Sequence, residues 1–137
     1  MSLTSLARAK QQYLEQQVAS ASPERLLTML YDRLLVDIDR AAAAQDSSDW
    51  TAAGAHLTHA QQIVAELHGS LTDVWDGAGD LRALYTYLTG RLIDANIARD
   101  RAATGECREL VVPLREAWHQ AAATTAAAAP TATSALA

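Results

Sequence analysis

Trp50, Ala53, Leu57, Ala60, Val64, Leu67 and Leu71 recur in unbroken steps of three and four residues, and nothing else in the chain constrains its fold as tightly. A strand repeats every second residue, so only a helix brings these side chains onto one line. The line is a narrow seam, and a helix that carries it must bury it against other helices. Upstream, Ser22-Pro23-Glu24-Arg25 offers a hydroxyl to free N–H groups, a proline at the first helical position and an acid beside the positive helix end. Leu27, Leu30, Tyr31, Leu34, Ile38 and Ala41 follow on one face, which predicts a helix to about Gln45. Asp46-Ser47-Ser48 is so short a polar link that the seam helix has to run back antiparallel, ending near His68-Gly69.

Thr72 to Asp80, with Gly77 and Gly79, reads as a longer loop. Leu81, Tyr85, Leu88, Leu92, Ala95 and Arg99 then form a third seam, which Thr104-Gly105 is expected to close. A fourth helix, about Glu106 to Ala122, is expected to turn Leu110, Leu114, Ala117, Trp118 and Ala121 inward and to bend at Pro113. Alanine and leucine abound, and both lose little on entering a helix. The fold predicted is therefore all-α, an antiparallel up-down four-helix bundle over residues 22–122 with an additional short N-terminal helical segment. That segment, within residues 1–21, carries Leu6, Tyr13, Leu14 and Val18 and is expected to pack over the bundle. Residues 123–137 are uncharged, rich in Ala and Thr and interrupted by Pro130, and read as a flexible tail.

Charge narrows the function. The chain has 11 Lys+Arg against 16 Asp+Glu, a net charge of −5, with no basic cluster to attract nucleic acid or an anionic membrane. No window approaches the roughly 20 apolar residues of a membrane span, so no membrane insertion is expected. With Cys107 as the only cysteine, a disulfide framework is excluded and a reducing, cytoplasmic location is expected. A di-metal bundle site needs Glu-x-x-His pairs on two helices. Only Glu116-Ala117-Trp118-His119 supplies one, and His56 and His59, three residues apart, lack a third ligand. His59 has neither the lysine nor the glycine of a histidine phosphotransfer run, and no nucleophile-base pair or glycine-rich phosphate loop is present. No metal, no cofactor and no enzymatic activity are expected.

A surface remains. At about 100° per residue, Ala83, Gly90 and Ile97 fall roughly opposite the buried seam of the third helix. A solvated face should be charged there, yet it holds two small residues and an isoleucine at seven-residue spacing, flanked by Tyr87 and Ile93. Gly90 inside a helix costs about 1 kcal/mol relative to alanine. An apolar groove that accepts another chain accounts for the pattern, and so does a central helix covered by the N-terminal segment.

Five fragments in register carry a resemblance. Tyr13-x4-Val18-x-Ser20-Ala21-Ser22-Pro23, Met29-Leu30-Tyr31-Asp32, Ala60 to Leu67 (AQQIVAEL), Leu84 to Asp100 (LYTYLTGRLIDANIARD) and Leu114-Arg115-Glu116-Ala117-Trp118 resemble the FliS family of flagellar export chaperones. Arg33 stands where that family has glycine, and Thr86 where it has an acid. The resemblance implies a cytosolic chaperone that binds the disordered C-terminal segment of flagellin, prevents premature polymerisation and delivers the complex to the flagellar type III export gate, acting as a monomer or weak homodimer. It also implies that the segment around Tyr13 lies over the groove in the free protein. Carried residue by residue, it implies a flagellin-binding set of Tyr13, Ile63, Leu67, Leu71, Tyr87, Gly90, Ile93, Asn96 and Ile97, of which Ile63 and Leu67 fit a core position equally well. The alternative is a helical-bundle adaptor that holds another secreted or regulatory protein.

Overall fold

The computed structural model describes residues 5–9, 23–71 and 77–136, with side chains described to residue 124. Four helices follow one another: α1 (Pro23–Asp46), α2 (Trp50–Gly69), α3 (Ala78–Ile97) and α4 (Arg101–Leu136). Each packs on its neighbours in the chain, and α4 returns to pack on α1, so the helices form a closed four-cornered bundle. Residues 5–9 are helical and exposed, and Tyr13 lies outside the described residues.

Two links at one end of the bundle share a construction. Ser48 and Arg99 take left-handed backbone conformations, with φ of 58° and 52°. Beyond them, the Asp49 and Asp100 N–H groups reach back to the carbonyls of Ala44 (2.8 Å) and Ala95 (3.0 Å), closing α1 and α3. The same two aspartates then accept from the N–H of Ala52 and Ala103, each at 3.2 Å, and so cap α2 and α4. The α3–α4 link therefore falls before Arg101, not at Thr104-Gly105, which lie inside the first turns of α4. Arg99 takes a conformation usually left to glycine and is exposed rather than part of the seam. α4 runs without interruption through Pro113 and past Pro130 to Leu136.

The core is built from the predicted seams: Tyr31, Leu34, Ile38 and Ala41 of α1, Leu57, Ala60, Val64 and Leu67 of α2, and Tyr85, Leu88, Leu92 and Ala95 of α3. On α4 the buried line is Ala103, Cys107 and Val111, with Leu110, Leu114 and Trp118 packed against it. Ala117 and Ala121, expected inside, share the phase of the buried line but are exposed, since the register set by the Tyr87–Glu106 contact brings the start of α3 at Ala78 level with about residue 115 and leaves them beyond its cover. Several polar groups in the core are paired across helices. The Tyr31 and Tyr85 hydroxyls meet at 2.5 Å, and burial, then this contact, raises the Tyr31 hydroxyl well above its ordinary range. Gln45 donates to the Ala95 carbonyl (3.2 Å) and accepts from Thr104 (2.7 Å), tying α1 to both α3 and α4.

On the surface, Arg101, Arg108 and Arg115 of α4 pair with Asp46, Asp39 and Asp32 of α1 at 3.0, 2.8 and 2.6 Å. Each step of seven forward on α4 is a step of seven back on α1, which fixes the antiparallel register. His119 joins at Asp32 (2.7 Å). Burial raises the Asp32 carboxyl, but the hydrogen bonds from His119 and Arg115 outweigh it and hold the group below the usual carboxylate range.

Candidate functional surface

α3 buries Tyr85, Leu88, Leu92 and Ala95, so the residues half a turn away must face outward. Ile97 is 79% exposed, Tyr87 49% and Ile93 38%, with Gly90 exposed between them and Ala83 exposed one turn before Tyr87. From Tyr87 to Ile97 the strip spans about 15 Å of helix. A Cβ placed on Gly90 would meet nothing within 4 Å, so no packing contact inside the chain calls for glycine there. Thr86 and Thr89 spend their hydroxyls on their own helix, donating to the carbonyls of Arg82 and Tyr85.

Charges border the strip on its α4 side. The Tyr87 hydroxyl donates to the Glu106 carboxylate, and this bond, then burial, raises the hydroxyl above its ordinary range. Arg91 pairs with Glu106 (3.3 Å) and with Asp94 (3.2 Å). Burial works against the Arg91 charge, and the two carboxylates outweigh it. Tyr87 is thereby held at its polar tip while its ring stays exposed. On the α2 side the border is Asn96, over Gly54, followed by the Arg99 guanidinium stacked 5.0 Å above the Trp50 ring.

Of the residues singled out from sequence, Tyr87, Gly90, Ile93, Asn96 and Ile97 lie on this strip or its edge. Ile63 (6% exposed) and Leu67 (0%) are core residues in this structure. Leu71 is half-buried against the core beyond the end of α2, and Tyr13 falls outside the described residues. A second apolar feature has no motif in the sequence: a pocket of about 520 Å³ between α1 and α2, lined by Pro23, Leu26, Leu27, Met29, Leu30, Glu66 and Ser70. Leu26 and Met29, apolar yet off the α1 seam, were the only trace of it in the sequence.

Among the described residues no group of three or more His, Cys, Asp and Glu side chains is placed to hold a metal ion. His59 is half-exposed and bonds through Nδ1 to the buried Asp37, whose other oxygen lies 3.3 Å from Arg33. Burial, then the Glu106 charge, pushes the Cys107 thiol up to about 11, so it stays protonated and unreactive. No helix among the described residues is long and apolar enough to cross a membrane.

Comparison with known proteins places this arrangement. The family model described as flagellar protein FliS matches residues 6–125. The flagellar secretion chaperone FliS of Bacillus subtilis is 34% identical over 109 residues, covering 80% of this chain and 82% of the relative. That of Salmonella typhimurium is 34% identical over 110 residues, covering 78% and 82%. A solved structure, described as a crystal structure of flagellar chaperone from bacteria, superposes with a TM-score of 0.69 at 15% identity, over 86% of this chain and 98% of that one, and shares its fold.

Proposed function

The chain belongs to the FliS family of flagellar secretion chaperones, and from that premise we propose that it binds the C-terminal segment of flagellin along the outer face of α3. The observation that carries this reading is the exposed strip of Tyr87, Gly90, Ile93 and Ile97, apolar where a solvated helix face would be charged. A disordered, amphipathic client supplies the missing cover. It orders as it binds, and the ordering cost keeps the complex reversible, so no ATP is needed for release. Covering that segment keeps flagellin from polymerising before it reaches the flagellar type III export gate. Tyr13 and the segment around it, as part of this reading, compete for the same face in the free protein. The work is done by shape and apolar area rather than by a reacting group. The charged border of Glu106, Arg91 and Asp94 sets the edge of the strip and keeps the free protein from self-association through it.

The test is filament growth. Monomeric flagellin from the same organism, seeded in the presence of an equimolar amount of this protein, is expected to stop elongating, with the inhibition complete near one protein per flagellin. Unchanged elongation at severalfold excess would overturn the proposal.

A further inference from the structure

The outer face of α1 carries a second helical spacing that the core does not use. Met29, Arg33, Val36 and Arg40 follow in steps of four, three and four, so they fall on one line along the helix. A line with that spacing is ordinarily covered by another helix. Here Met29 is 44% exposed and Val36 39%, with Arg33 and Arg40 exposed beside them. Met29 also lines the pocket between α1 and α2, so the line starts at an apolar hollow and runs into a basic stretch.

The charges on this line lack their counterpart. α1 turns Asp32, Asp39 and Asp46 toward α4, where Arg115, Arg108 and Arg101 meet them at a seven-residue step. Arg33 and Arg40 repeat that step on the outer side, about 10 Å apart. The neighbouring α2 holds no Asp or Glu from Trp50 to Ala65. Arg40 has no ion-pair or hydrogen-bond partner among the described residues. Arg33 lies 3.3 Å from the buried Asp37, while half of its own side chain stays exposed. A guanidinium has five N–H donors, so this one contact positions Arg33 and leaves most of them unused.

We propose that this face of α1 is a second docking surface and takes an acidic amphipathic helix from a separate protein. Two carboxylates seven residues apart meet Arg33 and Arg40, and the apolar side chains beside them cover Val36 and Met29 and enter the pocket. Charge decides the occupant. A second copy that applied the same line to itself would bring arginines and no carboxylate, and residues 1–22 of this chain contain one acid, Glu15. A separate acidic helix supplies both carboxylates. α1 and α3 stand at opposite corners of the bundle, each packed on α2 and α4, so their outer faces point apart. The partner can therefore bind while a client lies on α3.

The test is an NMR titration of the full chain with two synthetic helical peptides that share one apolar stripe. They differ at two positions seven apart, both Glu in one and both Lys in the other. The Glu peptide should shift the Met29, Val36 and Arg40 amides saturably and bind roughly tenfold more tightly than the Lys peptide. Arg40→Gln should weaken it roughly two- to fivefold, the range of one exposed ion pair, and added salt should weaken it in the parent protein. Arg40→Glu should bind a third peptide, with Lys in place of the Glu that faces residue 40, more tightly than the parent does, a rescue that a disturbed fold would not give. The same shifts should persist with the flagellin C-terminal segment already bound. Equal binding of the Glu and Lys peptides, shifts confined to α3, or displacement by the flagellin segment would overturn the proposal. So would either of two other occupants. A Glu peptide that binds only to Tyr13→Ser would assign the face to this chain's own N-terminal segment, and self-association abolished by Arg40→Glu would assign it to a second copy.

Discussion

Replacing Ile97 by serine separates a surface that holds a client from a surface that holds the fold. Ile97 is the last residue of α3 and is 79% exposed, so the free protein covers only about a fifth of it. Full burial of an isoleucine is worth about 1.5–3 kcal/mol, so this fifth contributes about 0.5 kcal/mol to the fold. Serine and isoleucine have nearly the same helix preference, and serine adds no charge to the negative end of α3. The melting temperature should fall by about 2 °C, with an unchanged circular dichroism spectrum. A client that covers the remaining surface draws about 1–2 kcal/mol from it, so the dissociation constant should rise roughly five- to thirtyfold. The assay is a thermal melt beside a calorimetric titration with the flagellin C-terminal segment. A fall in melting temperature beyond about 5 °C would assign Ile97 to the fold, and an unchanged dissociation constant would remove the strip from the binding surface.

Other perturbations have separate readouts. Leu67→Ala, at a fully buried core position, should cost about 2–5 kcal/mol in urea unfolding; weaker client binding with unchanged stability would instead place Leu67 on the surface. Tyr31→Phe leaves the Tyr85 hydroxyl buried without its partner and should cost about 1–3 kcal/mol, most of it recovered in the Tyr31→Phe, Tyr85→Phe double variant; simple addition of two losses would contradict the pairing. Ser48→Gly relieves a left-handed residue at φ 58° and should stabilise the bundle by about 0.5–1 kcal/mol, whereas a loss would mean the Ser48 side chain contributes more than the backbone strain it imposes. The lowered Asp32 carboxyl stabilises the fold above its ordinary titration range and loses that contribution as the pH falls through its folded value. Asp32→Asn should therefore show a flatter stability profile than the parent between about pH 5 and pH 2, and parallel profiles would refute the role of His119 and Arg115.

The bundle was legible where the seams were made of large residues. The α2 line from Trp50 to Leu71 has one helical reading, and Ala53, Leu57, Ala60, Val64 and Leu67 of it are buried, with Ile63 buried beside them and Trp50 and Leu71 half-buried at the ends. α4 was misjudged because its buried line is small: Ala103 and Cys107 carry little signal, while Ala117 and Ala121 share the periodicity and lie outside. The α3–α4 link was misplaced for a conformational reason. Glycine is the usual stop, and Gly105 is the glycine the sequence offers, yet Arg99 takes the left-handed turn, offset by its stack on Trp50. Asp100, a capping residue two places further on from Ala98, was the available signal. Asp37 was illegible because its partner His59 lies on another helix, and only packing brings them together. The α3 strip was visible in the sequence because Gly90 and Ile97 stand where a solvated helix face is usually polar. Ile63 and Leu67 differ, since a position on a helix flank does not by itself say whether a neighbouring helix or a client covers it.

The central claim is that a client orders itself on the apolar face of α3. Calorimetric titration of the full chain with the C-terminal segment of its own organism's flagellin, repeated at several temperatures, tests it most directly. The account predicts 1:1 binding with a large negative heat-capacity change, the mark of apolar burial coupled to folding, and a smaller change when the titration is repeated with Ile97→Ser. Binding whose heat is independent of temperature, or no binding at all, would contradict it.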